Sequence, residues 1–460
     1  MNKIILIFGY SFLPFLTLAQ LNSATMANFN RVSNGLDACP AAMPDFHFNV
    51  FGPQIEYSEL SNFSISQLYS TSQFGGSLLT LNDVLQGSNQ SSGDYMPNLL
   101  AEASIKHRGI GLGFVFNKLC VYAGTNRNIH LGVGISPGLL ADPGRAFFDY
   151  NLLNGQPKAF VLNASAYNEK HIGIVIKPGP ISLGFRYRFL NGIFNLQTER
   201  AYMRLVNNGQ PTLLSDLSVY SSNLDAFNLI NQPIENIPPM ADFFNSTANQ
   251  GRAMDVGLGL DLGKYIQLQF SATNINASIT WKDRIQSYNQ STEELYYNAP
   301  FFTPTNNTSP SQLFVGFQDS LRSKLLQQRI TNIKDYTTTL PTQFLGTVHI
   351  SLNRLVQFGA VYQQRSPQAS FESLNSLRNF IFYYQSEWGK FLLGRAFIAS
   401  NSQSSTKGTS FGALLAVRIL GVQAFAGLNG LGPSIDRKAF NAQVGASFNL
   451  GYRDKSKSQD

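Results

Sequence analysis

The side chains with most capacity for chemistry recur two residues apart along alternating segments. Between Ile181 and Phe189, Ile181, Leu183, Phe185, Tyr187 and Phe189 alternate with Ser182, Gly184, Arg186 and Arg188. An extended chain turns both guanidiniums onto one face and the large apolar groups onto the other. Arginines so placed must meet water or carboxylates. Elsewhere Asp255 and Asp261 oppose Val256, Leu258, Leu260 and Leu262, while Gln267 and Gln269 oppose Ile266, Leu268 and Phe270. Arg418 ends the polar side of a run whose apolar side is Phe411, Ala413, Leu415 and Val417, and His349 completes the candidate set. Their chemistry is that of binding: either the arginines receive an anionic or polar solute, or they pair with Asp255 or Asp261 and hold a channel shut.

Catalytic and metal signatures are weak by comparison. His47, His107, His130, His171 and His349 fall at no metal-ligand spacing, so the sequence predicts no metal and no cofactor. Gly257/Gly259 and Gly132/Gly134 lack the third glycine and following helix of a dinucleotide fingerprint. Gly408-Thr409-Ser410-Phe411-Gly412 matches G-x-S-x-G formally, but leads into an alternating strand rather than the helix a nucleophile elbow requires. Glu293-Glu294 reads as a solvated pair in a polar loop. The chain is read as a non-enzyme.

The elements that carry these residues are strands with two solvents. From Phe440 to Tyr452 seven apolar residues alternate with six small or polar ones. That pattern suits the last strand of a sandwich, or a transmembrane barrel strand, which needs about 9 to 11 residues when tilted. Tight links such as Pro178-Gly179-Pro180, Asn207-Asn208-Gly209 and Gly263-Lys264 alternate with long polar ones at 223–250 and 284–336. Short turns on one side and long loops on the other favour a barrel. We expect an all-β transmembrane antiparallel β-barrel of about 14 to 16 strands with short helices in its loops. Its first strand starts near Phe46, and Leu99–Phe116 with Leu119–Ile135 forms a long hairpin. Helical turns are expected at Ile65–Tyr69, Leu78–Leu85 and Pro137–Leu153, and Ser311–Gln328 is a helix able to cap or enter the lumen. Aromatic clusters, including Phe380, Phe382, Tyr383, Tyr384 and Trp388, fit interfacial girdles or ordinary core packing.

Composition agrees. Of 460 residues only 13% are charged, about half the usual share. A water-facing surface would need more. Residues 1–19 have the plan of a secretory signal: Lys3, an apolar core to Leu18, and a small-residue site before Gln20. Removing it takes the formal charge from +7 to +6, because Lys3 is its one charged residue. The excess is diffuse, which disfavours nucleic acid as a partner. Residues 20–45 form a leader and possible periplasmic plug, 46–452 the barrel and 453–460 a polar tail. Cys39 and Cys120 leave one disulfide open as an alternative.

Three segments carry a family resemblance. They are Leu36-Asp37-Ala38-Cys39-Pro40-Ala41-Ala42-Met43-Pro44, Leu190-Asn191-Gly192-Ile193-Phe194-Asn195, and Gly251 to Gly259 leading to Ile279-Thr280-Trp281-Lys282. Together they resemble an uncharacterised Bacteroidetes outer-membrane barrel family, in which Asn-Pro-Ala usually stands where this chain has Cys39-Pro40-Ala41. The resemblance implies a porin-like barrel, similar in architecture to type IX secretion accessory barrels and long-chain fatty acid transporters, with no assigned substrate. Two functions follow as expectations. One is passage or binding of a small anionic or polar solute through a lumen lined by Arg186, Arg188, Asp255, Asp261, Gln267, Gln269, His349 and Arg418. The other is a plugged barrel, seated in outer-membrane lipid, that holds a surface or periplasmic protein.

Overall fold

A computed structural model describes residues 35–61, 99–135, 160–207, 211–223, 248–296, 335–353, 355–365, 378–389, 391–401, 408–431 and 439–452. The short helix α1 (Gly35–Ala38) precedes β1 (Phe46–Ser61), β2 (Leu99–Arg108), β3 (Gly111–Phe116), β4 (Leu119–Ile135) and β5 (Phe160–Ile176). Next come β6 (Ile181–Asn207), β7 (Pro211–Ser222), β8 (Gln250–Leu262), β9 (Ile266–Trp281) and β10 (Ile285–Tyr296). Then follow β11 (Tyr336–Thr339), β12 (Gln343–Ser351), β13 (Gln357–Arg365) and β14 (Arg378–Trp388). The last four are β15 (Leu392–Asn401), β16 (Gly408–Ile419), β17 (Val422–Leu431) and β18 (Ala439–Tyr452).

These segments form a single 18-membered sheet, but several share one stave. β2 and β3 both pair with β1 and β4. Likewise β7 and β8 both lie against β6, and β9 and β10 continue one another against β8 and β7. β11 and β12 both pair with β9. The result is a closed barrel of 14 antiparallel staves. β1 pairs antiparallel with β18, from Phe46↔Tyr452 to Leu60↔Ala439, so no edge is left at the seam.

Burial runs inside out. In β18 Asn441, Gln443, Ser447 and Asn449 are buried, while Val444 is 56% exposed. In β14 Phe380, Phe382, Tyr384 and Trp388 point outward, and Tyr383 points in with 4% exposure. The aromatic cluster thus divides between the two faces by strand parity. Burying one Leu or Phe side chain is worth about 1.5–3 kcal/mol, so a whole outer band of them is stable only in a bilayer. A polar inside and an apolar outside define a transmembrane barrel. No helix among the described residues is long and apolar enough to cross a membrane.

The turns at Gly179 and Gly263 gather at one end, the end that also holds the start of β1 and the finish of β18, whereas the short link expected at Asn207-Asn208-Gly209 joins β6 to β7 at the other end. Gly179 and Gly263 turn with φ of +73° and +64°, and an added Cβ would meet no neighbour among the described residues at either. Backbone freedom, not space, is what those glycines supply. At the other end β6 is 27 residues long, far beyond a membrane span. Its upper half, β7 and β10 form a three-stranded blade above the staves. Glu293 and Glu294 belong to that blade, opposite Ser215 and Leu214, and not to a polar loop. The link expected at 284–336 accordingly gives up residues 285–296 to strand. The helical turns expected within 62–98 and 136–159, the helix at 311–328, the signal segment, residues 20–34 and the tail lie outside the described residues.

Candidate functional site

Strand parity builds the site. Arg186 on β6 stands directly across from Asp255 on β8, and Arg188 is the diagonal neighbour on the same inward face. Arg186 Nε donates to Asp255 Oδ2 at 2.6 Å, and Arg188 Nη2 donates to Asp255 Oδ1 at 2.9 Å. Arg188 Nη1 also reaches Glu169 Oε2 on β5 at 3.1 Å. A bulge in β9 completes the acceptor set. Asn274 has φ of +60°, which lets its N–H donate to Asp255 Oδ1 at 2.8 Å while its side-chain oxygen accepts from Arg188. Asp255 is 0% exposed. Burying a carboxylate that deeply is tolerable only where cations and N–H donors stand in for its hydration.

The leader enters this network. Asp37 at the end of α1 takes Arg186 Nη1 on Oδ1 at 2.8 Å. Its other oxygen, Oδ2, takes Lys106 Nζ at 2.8 Å and the guanidinium of Arg108, both from β2. Downstream, Ser271 Oγ donates to the carbonyl of Ala38 at 2.8 Å. Two glycines make room for this passage. A Cβ at Gly184 would overlap the Pro40 carbonyl, and one at Gly257 would lie 2.7 Å from the Ala41 nitrogen. The leader also spans both sides of the lumen. Leu36, Cys39, Ala41, Ala42 and Met43 pack with Val115, Cys120 and Tyr122, whereas Ala38 packs with Ile381, Tyr383 and Phe397.

Cys39 and Cys120 are free thiols in that first cluster, so the open alternative of a disulfide is not taken. Burial pushes the Cys39 thiol up to about 11. Above the charged layer, Trp281 is 0% exposed and its Nε1–H donates to Thr338 at 2.9 Å. Gly192 gives its ring space, with an added Cβ only 2.7 Å from Trp281 Cη2. The three segments that carry the family resemblance thus meet inside the barrel: Cys39-Pro40-Ala41 on Gly257, and Gly192 on Trp281.

Of the residues singled out from sequence, Arg186, Arg188 and Asp255 come together. Asp261 is apart from them, near the tight turns, bound to Lys177 and to Gln267 Nε2 at 3.0 Å. Gln269 is 1% exposed, and its Oε1 has no hydrogen-bond partner among the described residues. His349 bonds Tyr383 Oη at 2.8 Å, with Arg395 stacked 4.0 Å over the same tyrosine ring. Arg418 covers the Phe46 ring at 4.1 Å at the β1 end. Ser410 Oγ donates to Asn429 Oδ1 at 3.1 Å, within strand β16. Asp37, Lys106, Arg108, Glu169 and His171 were missed. Lys106/Arg108 and Glu169/His171 repeat the two-residue spacing of Arg186/Arg188, so the signal is present; Asp37 has no periodicity to mark it, only its place in the leader segment that carries the family resemblance.

Beside Asp37 lies a small cavity of about 10 Å³, room for a single water, lined by Arg108, Tyr122, Thr125 and His171 and by Gly109, Gly111 and Gly124. Arg108 Nε and Tyr122 Oη are buried there without a hydrogen-bond partner among the described residues.

Fold and lumen define a closed transmembrane barrel whose interior is crossed by its own N-terminal segment. The chain belongs to a family of unknown function (DUF5723), whose pattern matches residues 40–429. No curated protein matches the sequence. Among solved structures it is similar to a Pseudomonas aeruginosa FadL homologue at 8% identity, covering 95% of this chain and 99% of that one, TM-score 0.47. It is also similar to the P. putida toluene transporter TodX, at 10% identity over 91% of this chain and 94% of that one, TM-score 0.43. The Ralstonia pickettii toluene transporter TbuX matches at 8% identity over 91% and 93%, TM-score 0.41.

Proposed function

We propose that this protein is an outer-membrane barrel that binds or passes a small solute, with residues 35–45 acting as a resident plug. The supporting observation is dryness where an open pore would be wet. The inward residues Asp255, Gln269, Ile381 and Leu414 are at most 2% exposed, and leader residues pack between the two sides of the lumen. The segment is held by three cations on Asp37 and by non-covalent packing of Leu36, Cys39, Ala41, Ala42 and Met43, and our reading is that such a closure can reopen. The staves keep their own hydrogen bonds whether the segment is present or not.

The test has two readings. Outer-membrane fractionation with heat-modifiable gel mobility checks the barrel and its location. Planar-bilayer conductance then compares the full chain with Asp37→Lys, which puts a fourth cation among Lys106, Arg108 and Arg186. The intact protein should be silent or nearly so, and the variant should give stable steps. Steps of equal size from both would remove the plug.

The blade favours a second reading, a platform for a surface or secretion-associated protein. β6, β7 and β10 continue past the staves, and the outer edge of β10 pairs with nothing among the described residues. Pull-down with the blade shortened separates this from transport, since conductance would be unaffected.

A further inference from the structure

We propose that Asp37 occupies a carboxylate-binding site of the barrel wall, and that a solute carboxylate competes with it and so frees the leader. This rests on the plug reading above and names its trigger. Both Asp37 oxygens are engaged, one by Arg186 and the other by Lys106 and Arg108. Three cations thus serve one carboxylate, with a charge-assisted donor on each of its oxygens, which is what a two-oxygen anion needs.

The wall also holds donors that Asp37 does not use. Among the described residues Arg108 Nε and Tyr122 Oη have no hydrogen-bond partner, though Arg108 is 7% and Tyr122 2% exposed. Burying a donor unpaired carries a desolvation penalty, and both line the gap next to Asp37. The surrounding wall is stripped of side chains at Gly109, Gly111 and Gly124, so the place that Asp37 vacates on the Arg108 side is what a small carboxylate would fill. Nearby anions do not compete for these groups. Asp255 is shared by Arg186 and Arg188, and Glu169 takes Arg188, Asn126 Nδ2 at 2.9 Å and His171 at 3.2 Å. An incoming carboxylate thus finds Lys106, Arg108 and Tyr122, and Asp37 is the one acid whose departure moves a chain segment.

The experiment is hydrogen–deuterium exchange of the full-length protein in lipid nanodiscs, read on the peptide covering residues 35–45. Sodium acetate is titrated against sodium chloride at equal ionic strength. Acetate should speed leader exchange saturably, by about fivefold or more, the lower end of ordinary coupling between ligands, and chloride should not. Asp37→Asn should exchange fast without acetate, and Arg108→Gln should lose the acetate response. Lys106→Gln, whose ammonium is partly exposed, is a second variant should loss of the Arg108 charge prevent folding. Equal acceleration by chloride, protection unmoved by acetate, or an undiminished response in both wall variants would overturn the site. Failure of the outer-membrane reading registers separately, as loss of the heat-modifiable mobility in the unmodified protein.

Discussion

At the scale of single residues, Asp255 is the point on which the lumen charges balance. Two guanidiniums and a backbone N–H surround it and it is 0% exposed, so removing its charge leaves Arg186 and Arg188 buried with one acceptor fewer each. Asp255→Ala should lower stability by about 3–5 kcal/mol, the usual cost of breaking a buried pair, read as a lower urea midpoint for the refolded barrel. Gly184 makes the opposite kind of test. Its missing Cβ is needed by the Pro40 carbonyl and by nothing lipid-facing, so Gly184→Val should evict the leader from an otherwise folded barrel. Cys39 reports the event. Thiolates are the reactive species, and this thiol is 0% exposed with its pKa raised to about 11. It should resist iodoacetamide near neutral pH in the native protein and react in Gly184→Val, assigned by peptide mass spectrometry; equal labelling of both would mean the leader is not held there.

At the scale of elements, strand parity does the sorting. β14 alternates Phe380, Phe382 and Tyr384 outward with Ile381 and Tyr383 inward, and a one-residue slip would place tyrosine hydroxyl and arginine partners in lipid. Phe382 is 60% exposed. On a soluble surface Phe382→Arg would be nearly neutral. On a lipid face near the bilayer midplane it should cost about 2–4 kcal/mol, measurable as a lower folded fraction in phospholipid vesicles. Parity and turn chemistry were both legible beforehand, as Arg186/Arg188, the Phe440–Tyr452 alternation and the glycine turns show. The blade was not. Glu293-Glu294 reads as loop because its charges and its Asn, Gln and Ser neighbours carry no period. It becomes strand because β7 is already positioned to pair with it.

At the scale of the whole molecule, closure decides what local pattern leaves open. Eighteen segments make 14 staves because breaks such as Gly109-Ile110 interrupt a strand without adding a neighbour. No one-dimensional count distinguishes an interruption from a turn. The sequence by itself determined the architecture: periodicity two, sparse charge and alternating link lengths leave a transmembrane barrel as the arrangement that satisfies every backbone group with apolar surface outward. It also determined that Arg186 and Arg188 share an inward face. Only the tertiary structure decided their partners. Asp255 over Asp261 follows from the β6–β8 register, Glu169 from the β4–β5–β6 order, and Asp37 from the path of a leader with no periodicity to betray it. Pairing is a matter of distances across staves about 4.8 Å apart, and those distances exist only once the sheet has closed.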